Sequence, residues 1–131
     1  MHDRFSRVLL GDPFRTLSLR AAVGFYALIL VGGSLPGARE DIGHYASGLV
    51  LHSLAYAILT FLLFAGMRGD ETARAVRSIL VIAAMGAFDE FVQSFFPYRT
   101  ASVTDWLVDV GAGTFAAAAL RASWPRAAAP E

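Results

Sequence analysis

The chain has 131 residues, of which 56% are hydrophobic and only 17% charged, with a mean hydropathy of +0.52. A soluble domain carries nearer a quarter of its residues charged, so an ordinary water-soluble fold is excluded. Eleven basic residues balance eleven acidic ones, which gives no electrostatic reason to expect nucleic acid as a partner. There is no cysteine; disulfides, thiolate catalysis and cysteine metal sites are therefore excluded as well.

Residues 1–18 mix Phe5, Val8, Leu9, Leu10, Phe14 and Leu17 with Arg4, Arg7 and Arg15, and break at Gly11-Asp12-Pro13. This pattern predicts an interfacial lead-in. The first apolar run, 19–35, follows Arg15 and Arg20 as a secretory leader would. It is long, however, and Gly32-Gly33-Ser34-Leu35-Pro36 is a weak cleavage site, so it is expected to remain as a span. Further runs cover 49–65, 79–96 and 106–120. With flanking residues each approaches the roughly 20 residues needed to cross a hydrocarbon core of about 30 Å. The connections leave no room for a soluble domain. The expected fold is all-α: a polytopic membrane protein, a bundle of four transmembrane helices with short loops, with the lipid bilayer as its partner.

All the basic residues are arginine. Arg4, Arg7, Arg15 and Arg20 precede the first helix, Arg68, Arg74 and Arg77 flank the second connection, and Arg121 and Arg126 follow the fourth helix. Only Arg39 and Arg99 fall in the other loops. The positive-inside rule then predicts that both termini are cytoplasmic, with loops 36–47 and 97–104 facing outward and Arg74 and Arg77 marking the inner interface.

Depth gives the polar residues their meaning. Counting from Arg77 at a rise of 1.5 Å per residue, Asp89 lies about 18 Å into the third helix, so Asp89, Glu90 and Gln93 are carried inside the bilayer. His52 and Tyr56, four apart on the second helix, share a face, as do Asp105 and Asp109 on the fourth. These residues are predicted to meet in one layer in the outer leaflet, beneath Arg99. Charges in lipid turn inward and find one another.

Structural roles compete at each position. Ser102-Val103-Thr104-Asp105 is a capping-box pattern, so Asp105 serves equally well as a cap partner. Asp109 is a turn deeper and can pair with Arg99 or His52. His52 suits an interhelical hydrogen bond, and Tyr56 suits packing. His44 and Tyr45 are expected to be solvated or interfacial. Gly111, Gly113 and Ala116 to Ala119 predict close helix approach.

The stretch from Asp89-Glu90-Phe91-Val92-Gln93 through Pro97-Tyr98-Arg99 and Ser102-Val103-Thr104-Asp105 to Asp109, Gly111 and Gly113 resembles the signature of VanZ-like membrane proteins. In that family Asp-Glu-x-x-Gln precedes a Pro-x-Arg turn and a Ser-x-x-Asp element. His52-Ser53-Leu54-Ala55-Tyr56 is similar to its upstream His-x-x-x-Tyr. Two departures stand out: Gly48-Leu49 replaces a frequent Asp-Lys, and Asp109 replaces a frequent Asn. The resemblance implies a small multi-spanning bacterial membrane protein. The founding member is linked to low-level resistance to the glycopeptide teicoplanin, a property that does not transfer to this chain.

The expected organisation is an interfacial segment over 1–18, a four-helix membrane domain over 19–122 and a short cytoplasmic tail over 123–131, in the bacterial cytoplasmic membrane. Three functions remain open. In the first, the layer binds a lipid-linked or cell-surface ligand, an envelope lipid or cell-wall precursor, through Arg99, Gln93, Asp105, Tyr56 and Ser102, with Arg99 facing a phosphate or carboxylate. In the second, the protein is an enzyme acting on a lipid headgroup, with Asp89, Glu90, Asp109 or His52 as general acid or base. In the third, the polar residues join helices in a structural subunit. No cofactor and no resident metal is expected, although the carboxylates offer oxygen ligands to a hard divalent cation.

Overall fold

Asp12-Pro13 opens the first helix of a computed structural model that describes residues 8–37 and 48–125. Proline suits this position because its missing N–H and fixed φ cost nothing in a first turn. The expectations for Arg4, Arg7, Arg39, His44, Tyr45 and Arg126 lie outside the described residues. Four helices lie wholly among the described residues: α1, Asp12–Ser34; α2, Gly48–Gly66; α3, Glu71–Gln93; and α4, Val103–Ser123. There is no strand among the described residues.

Each helix begins before its apolar run, and α1 and α3 end before theirs, at Ser34 and Gln93. The first begins at Asp12 rather than at residue 19, and the third at Glu71 rather than at residue 79. Apolar runs mark what can lie in lipid, whereas helices start where a cap satisfies their first N–H groups. Asp70 does this for α3, its Oδ1 accepting from the Ala73 N–H at 2.8 Å. With 23 residues, α3 is about 34 Å long. Three helices, α1, α2 and α4, are long and apolar enough to cross a membrane.

Side-chain ties fix the directions. Gly33 near the end of α1, His52 near the start of α2, Asp89 near the end of α3 and Asp109 near the start of α4 share one end of the bundle. Arg15, Gly66, Arg74 and Trp124 share the other. Consecutive helices are therefore antiparallel. Helix α4 packs chiefly on α2 and α3, and α1 leans on α2.

Helix α3 is built inside out. Its buried face carries Ser78, Ile82, Gly86, Asp89, Glu90 and Gln93, while Val76, Leu80, Phe88 and Phe91 are exposed. Phe91 stacks edge-on with the exposed Phe95, centroids 5.0 Å apart. A polar and small stripe turned inward with large apolar side chains turned outward is what a lipid solvent selects.

At the end opposite the carboxylates, Arg74 is buried. Its Nε and one Nη donate to the Phe64 carbonyl at 2.9 and 2.6 Å, and its guanidinium lies 4.3 Å from the Phe64 ring centroid and 4.7 Å from that of Trp124. Phe64 is in the last turn of α2, where carbonyls lack intrahelical partners. Arg74 thus caps α2 from α3, and Trp124 covers the cap.

Small residues set how closely the helices approach. A Cβ on Gly113 would lie 2.8 Å from Ile82 Cγ2 and 3.0 Å from Thr60 Oγ1, so α4 touches α2 and α3 there; Gly111 faces open space. Of the two glycines expected to allow close approach, only Gly113 does so.

Two pairs of substitutions check this account by thermal unfolding in detergent. Gly113→Ala is expected to destabilise by about 1–3 kcal/mol through overpacking, whereas Gly111→Ala lowers the melting temperature little or not at all. Arg74→Met is expected to cost about 2–4 kcal/mol by leaving the Phe64 carbonyl unpaired and removing the ring contacts. Arg77→Met, at an exposed position bonded among the described residues only to the exposed Arg68 carbonyl at 2.9 Å, is expected to stay within about 0.5 kcal/mol of the parent.

Candidate functional site

Two polar side chains at the end of α3 point different ways. Asp89 turns toward α1 and α2 and is 1% exposed. Gln93, one turn later, approaches the same point on α1, beside Gly33. Glu90 turns toward α4, where its Oε2 accepts from the Ser102 backbone N–H at 2.6 Å.

The contact with Ser102 rewrites the capping box read in the sequence. Ser102 is the N-cap of α4, and its Oγ accepts from the Asp105 N–H at 3.2 Å, as the pattern predicts. The reciprocal bond to the N-cap N–H comes from Glu90 of α3 instead of from Asp105. Ser102 and Glu90 together fasten the start of α4 to the end of α3.

One turn beyond Asp105, Asp109 is fully buried, and its Oδ1 meets His52 Nδ1 at 2.9 Å. The imidazole is parallel to the Tyr56 ring within 1°, centroids 6.4 Å apart. Of the two partners the sequence offered Asp109, the structure selects His52. Gly86 makes room behind this pair: a Cβ there would lie 3.5 Å from Asp109 Oδ2. Trp106 fixes the same level by donating Nε1–H to the Ala83 carbonyl at 2.9 Å.

The loop after α3 closes over the end of α1. Tyr98 donates its hydroxyl to the Ser34 carbonyl at 2.7 Å, and Arg99 donates Nε–H to the Gly33 carbonyl at 2.7 Å, with a second bond from Nη to the same oxygen. These are the last carbonyls of α1, and the loop caps them. A Cβ on Gly33 would lie 3.5 Å from Arg99, 3.6 Å from Gln93 and 3.7 Å from Asp89 Oδ1. A Cβ would thus make ordinary contact with all three, which places their convergence at the end of α1.

Between α1, α2 and this loop lies a cavity of about 300 Å³. Its polar end is formed by His52, Tyr56, Asp89, Gln93 and Arg99, and its apolar wall by Phe25, Leu28, Ile29, Leu51 and Ala55. Leu28 is also exposed on the outside of the bundle, so the apolar wall continues to the outer surface. Several buried oxygens lack hydrogen-bond partners among the described residues: Tyr56 Oη, Asp89 Oδ1, Glu90 Oε1 and Asp109 Oδ2. Among the described residues no group of three or more His, Asp or Glu side chains is arranged to hold a metal ion.

Of the nine residues singled out in the sequence, five line the cavity. Asp109 stands behind His52, and Glu90, Ser102 and Asp105 belong to the α3–α4 junction. Sequence reasoning missed α1's share of the lining, which includes Phe25 and Gly33, and Tyr26 of the same helix, whose hydroxyl donates to the Met85 carbonyl at 2.8 Å. A tyrosine within an apolar run was the available signal, since a phenol in lipid needs a partner.

Comparison with known proteins adds a family. No curated protein and no solved structure matches the chain. The family model described as VanZ/LLP1 matches residues 8–123, which takes in all four helices and every residue of the cavity. The chain is a membrane protein belonging to the VanZ/LLP1 family.

Proposed function

We propose that this protein crosses the bacterial cytoplasmic membrane four times and binds an amphiphilic envelope ligand in the cavity between α1 and α2, in the outer leaflet. The observation that carries this reading is the cavity's two-part lining: a wall of Phe25, Leu28, Ile29, Leu51 and Ala55 leading from the bundle surface to His52, Tyr56, Asp89, Gln93 and Arg99. Lipid tails match such a wall, and a polar head matches such an end.

The fourth span rests on α3, whose inward polar stripe and outward Val76, Leu80, Phe88 and Phe91 suit a helix surrounded by lipid. Orientation rests on arginine placement. Arg15, Arg68, Arg74, Arg77 and Arg121 gather at one end, and among the described residues Arg99 stands alone at the other. By the positive-inside rule the termini are cytoplasmic and the cavity faces outward.

A second reading, chemistry on the bound head group, is favoured by the His52–Asp109 pair at the cavity wall. A carboxylate holding Nδ1 fixes the orientation of an imidazole, as a general base requires. Turnover of labelled envelope lipids by the purified protein, lost in His52→Ala, would establish it. Saturable binding without turnover supports recognition alone.

Mass spectrometry of the protein purified from its native membrane is expected to find one class of amphiphile retained. Ala55→Phe, which fills the cavity, is expected to empty it while leaving the fold intact. Retention unchanged in that variant would place the ligand elsewhere. Orientation is checked independently, because the chain has no cysteine: a membrane-impermeant thiol reagent is expected to label Ala101→Cys in intact cells and to spare Ser123→Cys. The reverse pattern would invert the topology.

A further inference from the structure

Resting on the amphiphile-binding reading, we propose that the polar end of the cavity takes a primary ammonium group, with Asp89 and Tyr56 as its acceptors. The amphiphile is thus an amine-bearing one, whether the amine belongs to a phospholipid head or to an amino sugar on a lipid carrier.

Hydrogen-bond inventory separates a cationic head from an anionic one. Two oxygens of the cavity lining, Asp89 Oδ1 and Tyr56 Oη, have no partner among the described residues, although Asp89 is 1% and Tyr56 0% exposed. A buried acceptor left unpaired is costly, and an ammonium group brings three donors. The carboxyls of Asp89, Asp109 and Glu90 share this end of the bundle with the Tyr56 hydroxyl, so the surroundings of these oxygens are acidic.

Part of the donor set that would greet a phosphate is already engaged. Arg99 directs its Nε and one Nη to the Gly33 carbonyl, where they cap α1. Drawing them off would expose that carbonyl in a low-dielectric setting. His52 Nδ1 is bonded to Asp109. The C-terminal end of α1 and the N-terminal end of α2 both border the cavity, and their opposed dipoles offset each other. Side chains therefore decide: among the unpartnered lining atoms the Asp89 carboxylate is an acceptor, and the Tyr56 hydroxyl accepts as well as donates.

Gly33 borders the same space: a Cβ there would be in ordinary contact with Arg99, Gln93 and Asp89 Oδ1, and a longer side chain would reach into the space above the carboxylate.

The test compares decylamine, decyl phosphate and decanol as ligands of the full chain in a non-ionic detergent, following the melting temperature by tryptophan fluorescence. Decylamine is expected to raise it saturably, with half-saturation at a concentration roughly tenfold or more below those of the other two, the span of a charge-assisted hydrogen bond. Asp89→Asn is expected to erase that preference, and Tyr56→Phe, which removes only a hydroxyl, to narrow it several-fold. Should Asp89→Asn fail to fold, Tyr56→Phe decides alone. Decyl phosphate or decanol binding as well as decylamine would overturn the ammonium assignment and leave the amphiphile reading standing, as would a preference unchanged in the variants. If none of the three probes shifts the melting temperature, both fall.

Discussion

A helix that ends in or beside hydrocarbon leaves carbonyl oxygens with no water to accept from, and this chain meets that constraint with side chains from other elements. Arg74 of α3 caps the end of α2, and Tyr98 and Arg99 of the following loop cap the end of α1. Glu90 of α3 serves the first N–H of the α4 cap. Each of these bonds closes a helix terminus and ties two elements together, so capping and tertiary structure are the same interactions. Their strength comes from the medium: the apolar surroundings that make an unpaired carbonyl costly also strengthen the bond that pairs it.

Helical content and membrane residence were legible from the apolar runs alone, because lipid demands long segments of one character. Helix limits were not. The first turns of α1 and α3 contain Asp12, Glu71 and Arg74, residues that a hydropathy pattern assigns to connections but that caps and packing hold in helix. Averaging also hides α3. Its outward Phe88 and Phe91 and inward Asp89 and Glu90 alternate within one window, so the mean is unremarkable although each face is unambiguous.

The site was legible to the extent that chemistry stands out against an apolar background. His52, Tyr56, Asp89, Gln93 and Arg99 were conspicuous as polar residues at shared depth, and spacing by one turn brought Asp109 to His52. What spacing could not give was which neighbour each group chooses. Asp109 had two partners within reach on paper, and Arg99 was a natural anion clamp until the carbonyl of Gly33 stood in front of it. Tyr26 and Gly33 went unnoticed because one resembles an ordinary apolar-run aromatic and the other a flexible break, and only a neighbouring helix shows otherwise.

Asp89 and Glu90 sit side by side in the sequence, but successive residues on a helix point roughly 100° apart. That angle gives one carboxylate to the cavity and the other to the junction with α4. A loss of activity on changing Glu90 would therefore report on how α4 is seated, and hence on where Asp109 holds His52, before it reported on any ligand. The two acids form one motif to the eye and two separate genetic loci to an assay: equal phenotypes at both positions would arise by different routes, and only those at Asp89 bear directly on what the cavity recognises.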